Sequence, residues 1–183
     1  MTVLSHRGRV IRDPAFIRTL FSDPRAAWFW LVVRVWLGYK WIAAGLFKVQ
    51  DSAWAQTGEA LKGLWSGMVQ APAGSPSPLA FDRYHNFIQS LLDAEAYTWF
   101  GPLVAYGEVI IGIALVLGAF TGIAAFFGFI NWNFMMAASA STNPMLFVAT
   151  LGLIMAWKVA GYIGMDFFLL PWIGTPWGRK TNA

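Results

Sequence analysis

The chain contains no cysteine. That absence excludes disulfides, thiolate metal sites, Cys-ligated iron–sulfur clusters and dithiol redox relays. Histidine is almost missing as well. The two present, His6 and His85, lie outside every long apolar segment, so a membrane haem held between paired histidines is not expected. No haem, iron–sulfur or metal cofactor is therefore expected within the chain. Charged residues are few, at 12%, about half the share found in soluble domains. Residues 1–26 are basic and polar, and the first apolar run is too long and has no small-residue cleavage site, so no cleaved signal peptide is read. There is no internal repeat and no second soluble domain.

Apolar sequence is abundant instead. Of 183 residues, 57% are hydrophobic, and the mean hydropathy is +0.53. An ordinary soluble domain is excluded. Four apolar segments cover about Ala27–Phe47, Pro102–Thr121, Ile123–Ala140 and Met145–Trp172. A helix needs about 20 mostly apolar residues to cross the hydrocarbon core. The expected fold is all-α: an integral membrane four-helix bundle with short amphipathic interfacial helices, in contact with the lipid bilayer. The net charge of +4 does not point to nucleic acid. Arg7, Arg9, Arg12, Arg18 and Arg25 precede the first span, and Arg179 and Lys180 follow the last. Basic flanks stay cytoplasmic, so both termini are expected on the inner side of a cell (plasma) membrane. Three parts follow: a basic segment 1–26, a membrane domain 27–172 and a tail 173–183.

Asp13-Pro14, Asp23-Pro24 and Asn143-Pro144 each read as an N-cap followed by proline at the first helical position, and Gly101-Pro102 marks the second span. The first would open a short interfacial helix with Phe16, Ile17, Leu20 and Phe21 on one side. Residues 49–100 separate the first two spans and are more acidic than basic, which suits an outer cap. Two amphipathic helices are expected there, around Trp54–Met68 and 80–93, with a Pro/Gly/Ser break at 71–78. Thr121-Gly122 joins spans two and three in a tight inner hairpin, with Gly118 and Gly122 permitting close approach. Trp28, Trp30, Trp99, Trp132, Trp172 and Trp177 lie near the expected interfaces as belt anchors.

The informative residues are the charges inside the spans: Arg34, Lys40, Glu108, Lys158 and Asp166. A charge at a helix centre costs about 2.5–3.5 kcal/mol on insertion scales, so each needs a partner or a wet cavity. Arg34 and Asp166 each lie about six or seven residues from an inner helix end, roughly 10 Å deep, and are expected to form a structural ion pair. Lys40 and Glu108 match in depth near the outer side, and Lys48 at the edge can snorkel or reach Glu108. Glu108 shares a stripe with Gly112, Ala119 and Gly122, which turns it inward. Lys158 lies nearer mid-membrane, either lining a cavity or coupled to Asp166; Asn131 and Asn133 point to opposite faces. A carboxyl beside amines in low dielectric can carry protons and hydrogen-bond a carbonyl or hydroxyl. His85 and His6 read as surface residues. No mid-span break of the kind that builds transport sites is visible.

The first span holds Arg34 and ends Gly45-Leu46-Phe47-Lys48. The second begins Tyr106-Gly107-Glu108-Val109-Ile110-Ile111-Gly112 and continues Leu115-Val116-Leu117-Gly118. The third leads to Asn143-Pro144, and the fourth closes Gly161-Tyr162-Ile163-Gly164-Met165-Asp166. In this order the motifs resemble the DoxX/DoxD family of four-helix membrane proteins, over about Ala27–Leu170. The long outer segment favours the DoxD-like branch. Thr121-Gly122 departs from the pattern, where arginine commonly follows the threonine. The resemblance implies a membrane subunit of a quinone-linked redox system, such as thiosulfate:quinone oxidoreduction, with a second membrane or periplasm-facing subunit. Arg34, Lys48, Glu108 and Asp166 are the residues carried over by motif. The expected site is a quinone headgroup near Lys40, Lys48 and Glu108, with Glu108 as proton carrier; the quinone would be diffusible. Two rivals stand beside it: a non-catalytic accessory subunit of a larger respiratory or photosynthetic complex, and a small transporter.

Overall fold

The longest helix begins where an aspartate–proline pair says it should. In the computed structural model, which describes residues 3–4, 10–11, 14–70, 82–131, 133 and 143–173, the Asp23 carboxylate accepts from Arg25 N at 2.9 Å and opens a 3-10 turn, Pro24–Ala26. This turn runs directly into α2, Ala27–Gln50. Ahead of it lies α1, Ala15–Ser22. Only part of the predicted apolar side of α1 is covered: Leu20 and Phe21 pack on the core, while Phe16 stays exposed. The indole of Trp30 fixes α1 by donating to the Leu20 carbonyl at 2.7 Å.

Beyond α2 come α3 (Ser52–Ala55), α4 (Glu59–Val69) and α5 (Asp82–Asp93). The two amphipathic helices expected in the 49–100 segment are α4 and α5. Their apolar faces meet in a small core of Leu61, Trp65, Ile88, Ala96 and Tyr97. Then follow α6 (Tyr97–Leu117), α7 (Thr121–Ile130), α8 (Pro144–Met155), α9 (Trp157–Ala160) and α10 (Asp166–Trp172). Pro102 does not start α6; it lies inside the helix, which begins five residues earlier. Asn143 does cap α8, accepting from Leu146 N at 3.2 Å with Pro144 at the first position. The rest of the described chain is helical or turn except for a two-residue antiparallel pairing, β1 (Val3–Leu4) with β2 (Val10–Ile11). Asp13, His6, the break at 71–78, Trp132, residues 134–140 and the tail beyond 173 lie outside the described residues.

Among the described residues, α2 and α6 are the two helices long and apolar enough to cross a membrane. They pack antiparallel and very closely. A Cβ on Gly38 would sit 2.8 Å from the Gly112 carbonyl oxygen, and one on Gly45 would sit 2.7 Å from Val109 N. Glycine at these points removes the side chain that would hold the backbones apart. The core around this pair holds Trp30, Leu37, Trp41, Leu115, Leu153 and Val159, all buried.

The fourth apolar segment is not one helix. It breaks at Ala156, and residues 161–165 form turns between α9 and α10. The expectation of an unbroken crossing from 145 to 172 is thus corrected: Gly161 and Gly164 sit at this break with Arg34 and Asp166 packed against them. Gly118 likewise ends α6 in the left-handed region, at φ +68. The Gly118/Gly122 pair therefore makes a corner that allows close approach: Gly118 lies against the Arg34 guanidinium, and a Cβ on Gly122 would sit 2.6 Å from Trp157 Cβ on α9.

Candidate functional site

Glu108 faces inward and is 1% exposed; of its predicted stripe only Gly112 shares α6, because the helix ends at Leu117 and Ala119 and Gly122 lie beyond it. Lys48 Nζ donates to Glu108 Oε2 at 2.6 Å. Asn131 Nδ2 donates to its Oε1 at 3.0 Å. Three elements converge here: Lys48 from the last turn of α2, Glu108 from the middle of α6, and Asn131 just past α7. The ammonium also lies 5.2 Å from the centre of the Trp54 ring on α3, a cation–π distance. Both carboxylate oxygens are thus engaged, while two of the three Lys48 ammonium hydrogens and one of the two Asn131 amide hydrogens are left over.

Asn131 is the polar side chain, among the described residues, in the wall of a groove of about 510 Å³ between α6 and α7. Leu103, Ile111, Ile123 and Phe127 line the rest, with Gly107 widening it one residue before Glu108. The groove is large enough for much of a drug-sized apolar ligand. Asn131 is the member of the cluster that reaches the groove wall.

Lys40 does not join this cluster. It is exposed on α2 and borders a separate cavity of about 30 Å³ with Asn133 and Thr150, room for about one water. Lys40 and Lys48 are eight residues apart on one helix. At 100° per residue that turns Lys40 some 80° away from Lys48, a rotation that depth matching ignores. Asn131 and Asn133 do diverge as expected: Asn133 donates to the Phe129 carbonyl at 2.9 Å on the Lys40 side.

Arg34 and Asp166 are brought together at the α6–α7 corner, but they are not within ion-pair distance of each other. The expected direct pair is corrected. The Asp166 carboxylate accepts from Phe120 N through Oδ1, and from Thr121 N at 2.9 Å through Oδ2. It caps α7, where backbone N–H groups lack partners and negative charge is favoured. Asp166 N in turn donates to the Gly118 carbonyl at 2.7 Å, and Met165 N to the Leu117 carbonyl at 3.1 Å. Arg34 Nη2 donates to the Ile163 carbonyl at 2.8 Å, on the other side of the same clasp. Arg34 Nε and Nη1 and Thr121 Oγ1 have no hydrogen-bond partner among the described residues. The carboxylate and guanidinium thus satisfy backbone groups freed by the corner and by the broken helix. A second cavity, about 380 Å³, opens beside Thr121, Asp166 and Trp157.

Lys158 is half-buried and lies 5.7 Å from the centre of the Trp157 ring. His85 meets the Val69 carbonyl at 3.2 Å and ties α5 to the end of α4, a structural role. In the 49–100 segment, burial pushes the Tyr84 hydroxyl above its ordinary range. Lys62 is held above the lysine range, first by Tyr97 and then by Glu59. The sequence marks Asn131 as a polar group of the third span and Trp54 as part of an outer amphipathic helix; their contacts with Glu108 and Lys48 become visible only in the fold. No cluster of three or more His, Asp or Glu able to hold a metal occurs among the described residues. No family model matches the chain, and neither a characterised protein nor a solved structure matches it.

Proposed function

We propose that the chain is a four-span, DoxX/DoxD-like inner-membrane protein with both termini cytoplasmic, and that it serves as the quinone-binding subunit of a multi-subunit redox system. One observation carries the reading: a carboxyl, an amine and an amide meet in the interior at the side of an apolar groove. A quinone divides in the same way, into a polar ring and a hydrocarbon tail. In this reading a ring carbonyl accepts from Lys48 or Asn131, Glu108 holds a proton beside it, and the tail lies along α6 and α7. The electrons come from a partner subunit, since the chain offers no thiol or haem ligand set. The membrane setting is supported by the two long apolar helices and by the exposure of Val32, Phe47, Ile110 and Phe127, a density of apolar surface that soluble monomers avoid.

The test uses membranes holding the native partner and a short-chain ubiquinone. Glu108→Gln keeps the size and one acceptor oxygen but cannot carry the proton. Quinone reduction is expected to vanish while the protein stays inserted and folded by circular dichroism. Unchanged turnover in this variant ends the catalytic reading. The accessory-subunit reading is favoured by one feature, that both Glu108 oxygens are already held by the chain's own side chains. Stoichiometric co-migration with a large complex in mild detergent, with no turnover and no saturable quenching of Trp54 by the quinone, would select it.

A further inference from the structure

The two lysines of α2 have opposite surroundings. Lys48 is buried on Glu108, whereas Lys40 is exposed and has no hydrogen bond or ion pair among the described residues. The α2–α6 packing fixes its level. Gly45 lies against Glu108 and Val109, and Gly38 against Gly112 and Val116. Lys40 is therefore level with Gly112 and Ile113, about 8 Å further along the helices than Glu108. Exposed apolar residues continue on both sides of it along α2: Val32 and Val35 one way, Leu46 and Phe47 the other. The end of α2 at Gln50 is about 15 Å away, beyond the roughly 6 Å reach of a lysine stem. The cavity beside it offers only neutral groups, Asn133 and Thr150.

A second copy of the chain cannot answer this charge. The four apolar segments contain two acidic residues, Glu108 and Asp166. Both are buried and committed, at 1% and 0% exposure. We propose that the Lys40 face of α2 docks a membrane-spanning helix of a different protein, one that carries an aspartate or glutamate near mid-span. The inference rests on the membrane reading above, but not on quinone chemistry. An ammonium left in the apolar belt is destabilising, and an opposite charge at the same depth removes that cost on association.

The probe is a leucine-rich, 21-residue membrane-spanning peptide with one central glutamate, carrying an energy-transfer acceptor. The full chain carries the donor, in phosphatidylcholine vesicles. Wild type is expected to bind this peptide about tenfold more tightly than the same peptide with glutamine, the scale of one interhelical polar contact. Lys40→Met should lose that preference and Lys40→Arg should keep it. Equal binding of the two peptides overturns the proposal, as does a preference that survives Lys40→Met. Self-transfer between copies that depends on Lys40, or loss of the preference when phosphatidylglycerol is added, also overturns it, by naming a second copy or a lipid headgroup as the occupant. Protease protection is read in parallel. A chain that fails to insert removes the membrane reading as well, whereas insertion without carboxyl preference removes this proposal alone.

Discussion

Removing Lys48 alone from the Lys48–Glu108 pair should be far worse than removing both members. In Lys48→Met, Glu108 is left with Asn131 alone at a position that is 1% exposed. An uncompensated buried charge of this kind costs about 3–5 kcal/mol. Glu108→Leu leaves the ammonium instead. That side chain is 11% exposed, lies over Trp54, and sits two residues from the end of α2. It can relax outward, so the loss should be smaller, about 1–2 kcal/mol. The double variant carries neither charge and keeps the volume; only the Asn131 amide loses its acceptor, at about 1 kcal/mol. The two changes should therefore couple by about 3 kcal/mol or more. Reversible unfolding in mixed micelles, followed by tryptophan fluorescence, measures all four proteins. If Lys48→Met unfolds within about 0.5 kcal/mol of wild type, or the two losses simply add, the pair is wet or unformed and the sheltered cluster does not exist.

Three further outcomes follow from the corners. Gly118→Ala forces a side chain into a left-handed position and onto the Arg34 guanidinium; a loss of about 2–3 kcal/mol is expected in the same unfolding assay, at least 1–2 of it from the backbone alone. Asp166→Ala removes the acceptor of two backbone N–H groups and should cost about 3 kcal/mol or more, with Asp166→Asn recovering part of it because one acceptor oxygen remains. Glu95 is exposed and holds φ at +51 between α5 and α6; Glu95→Gly should raise stability by up to about 1 kcal/mol by relieving that backbone, and a loss instead would mean that its side chain supports the turn.

What could be read along the chain was whatever depends on neighbours in sequence. Asp23-Pro24 and Asn143-Pro144 start helices because a side-chain oxygen and a fixed φ act within three residues. The inward turn of Glu108 follows from Gly112 one turn away, not from Ala119, which lies past the end of α6; its contact with Lys48 follows from reach and depth together. Lys40 departs from the expected site in both helical coordinates: the α2–α6 packing sets it about 8 Å further along than Glu108, and its angle on α2 turns it some 80° from Lys48. Arg34 and Asp166 failed for a different reason. Charges were matched with charges, but a buried corner and a broken helix also release backbone N–H and C=O groups, which compete for the same side chains. A carboxylate facing two N–H groups of a tight turn is already satisfied, and a guanidinium that donates to a freed carbonyl needs no direct salt bridge, although the Asp166 charge still acts on it. Hydropathy could not show that break, since Gly161–Met165 is as apolar as the helices around it. Its trace was the pair of glycines ahead of an aspartate, which marks a place where backbone must approach a charge. Counting the backbone groups freed at each turn, before pairing charges, is the step that would have assigned Asp166 to the start of α7.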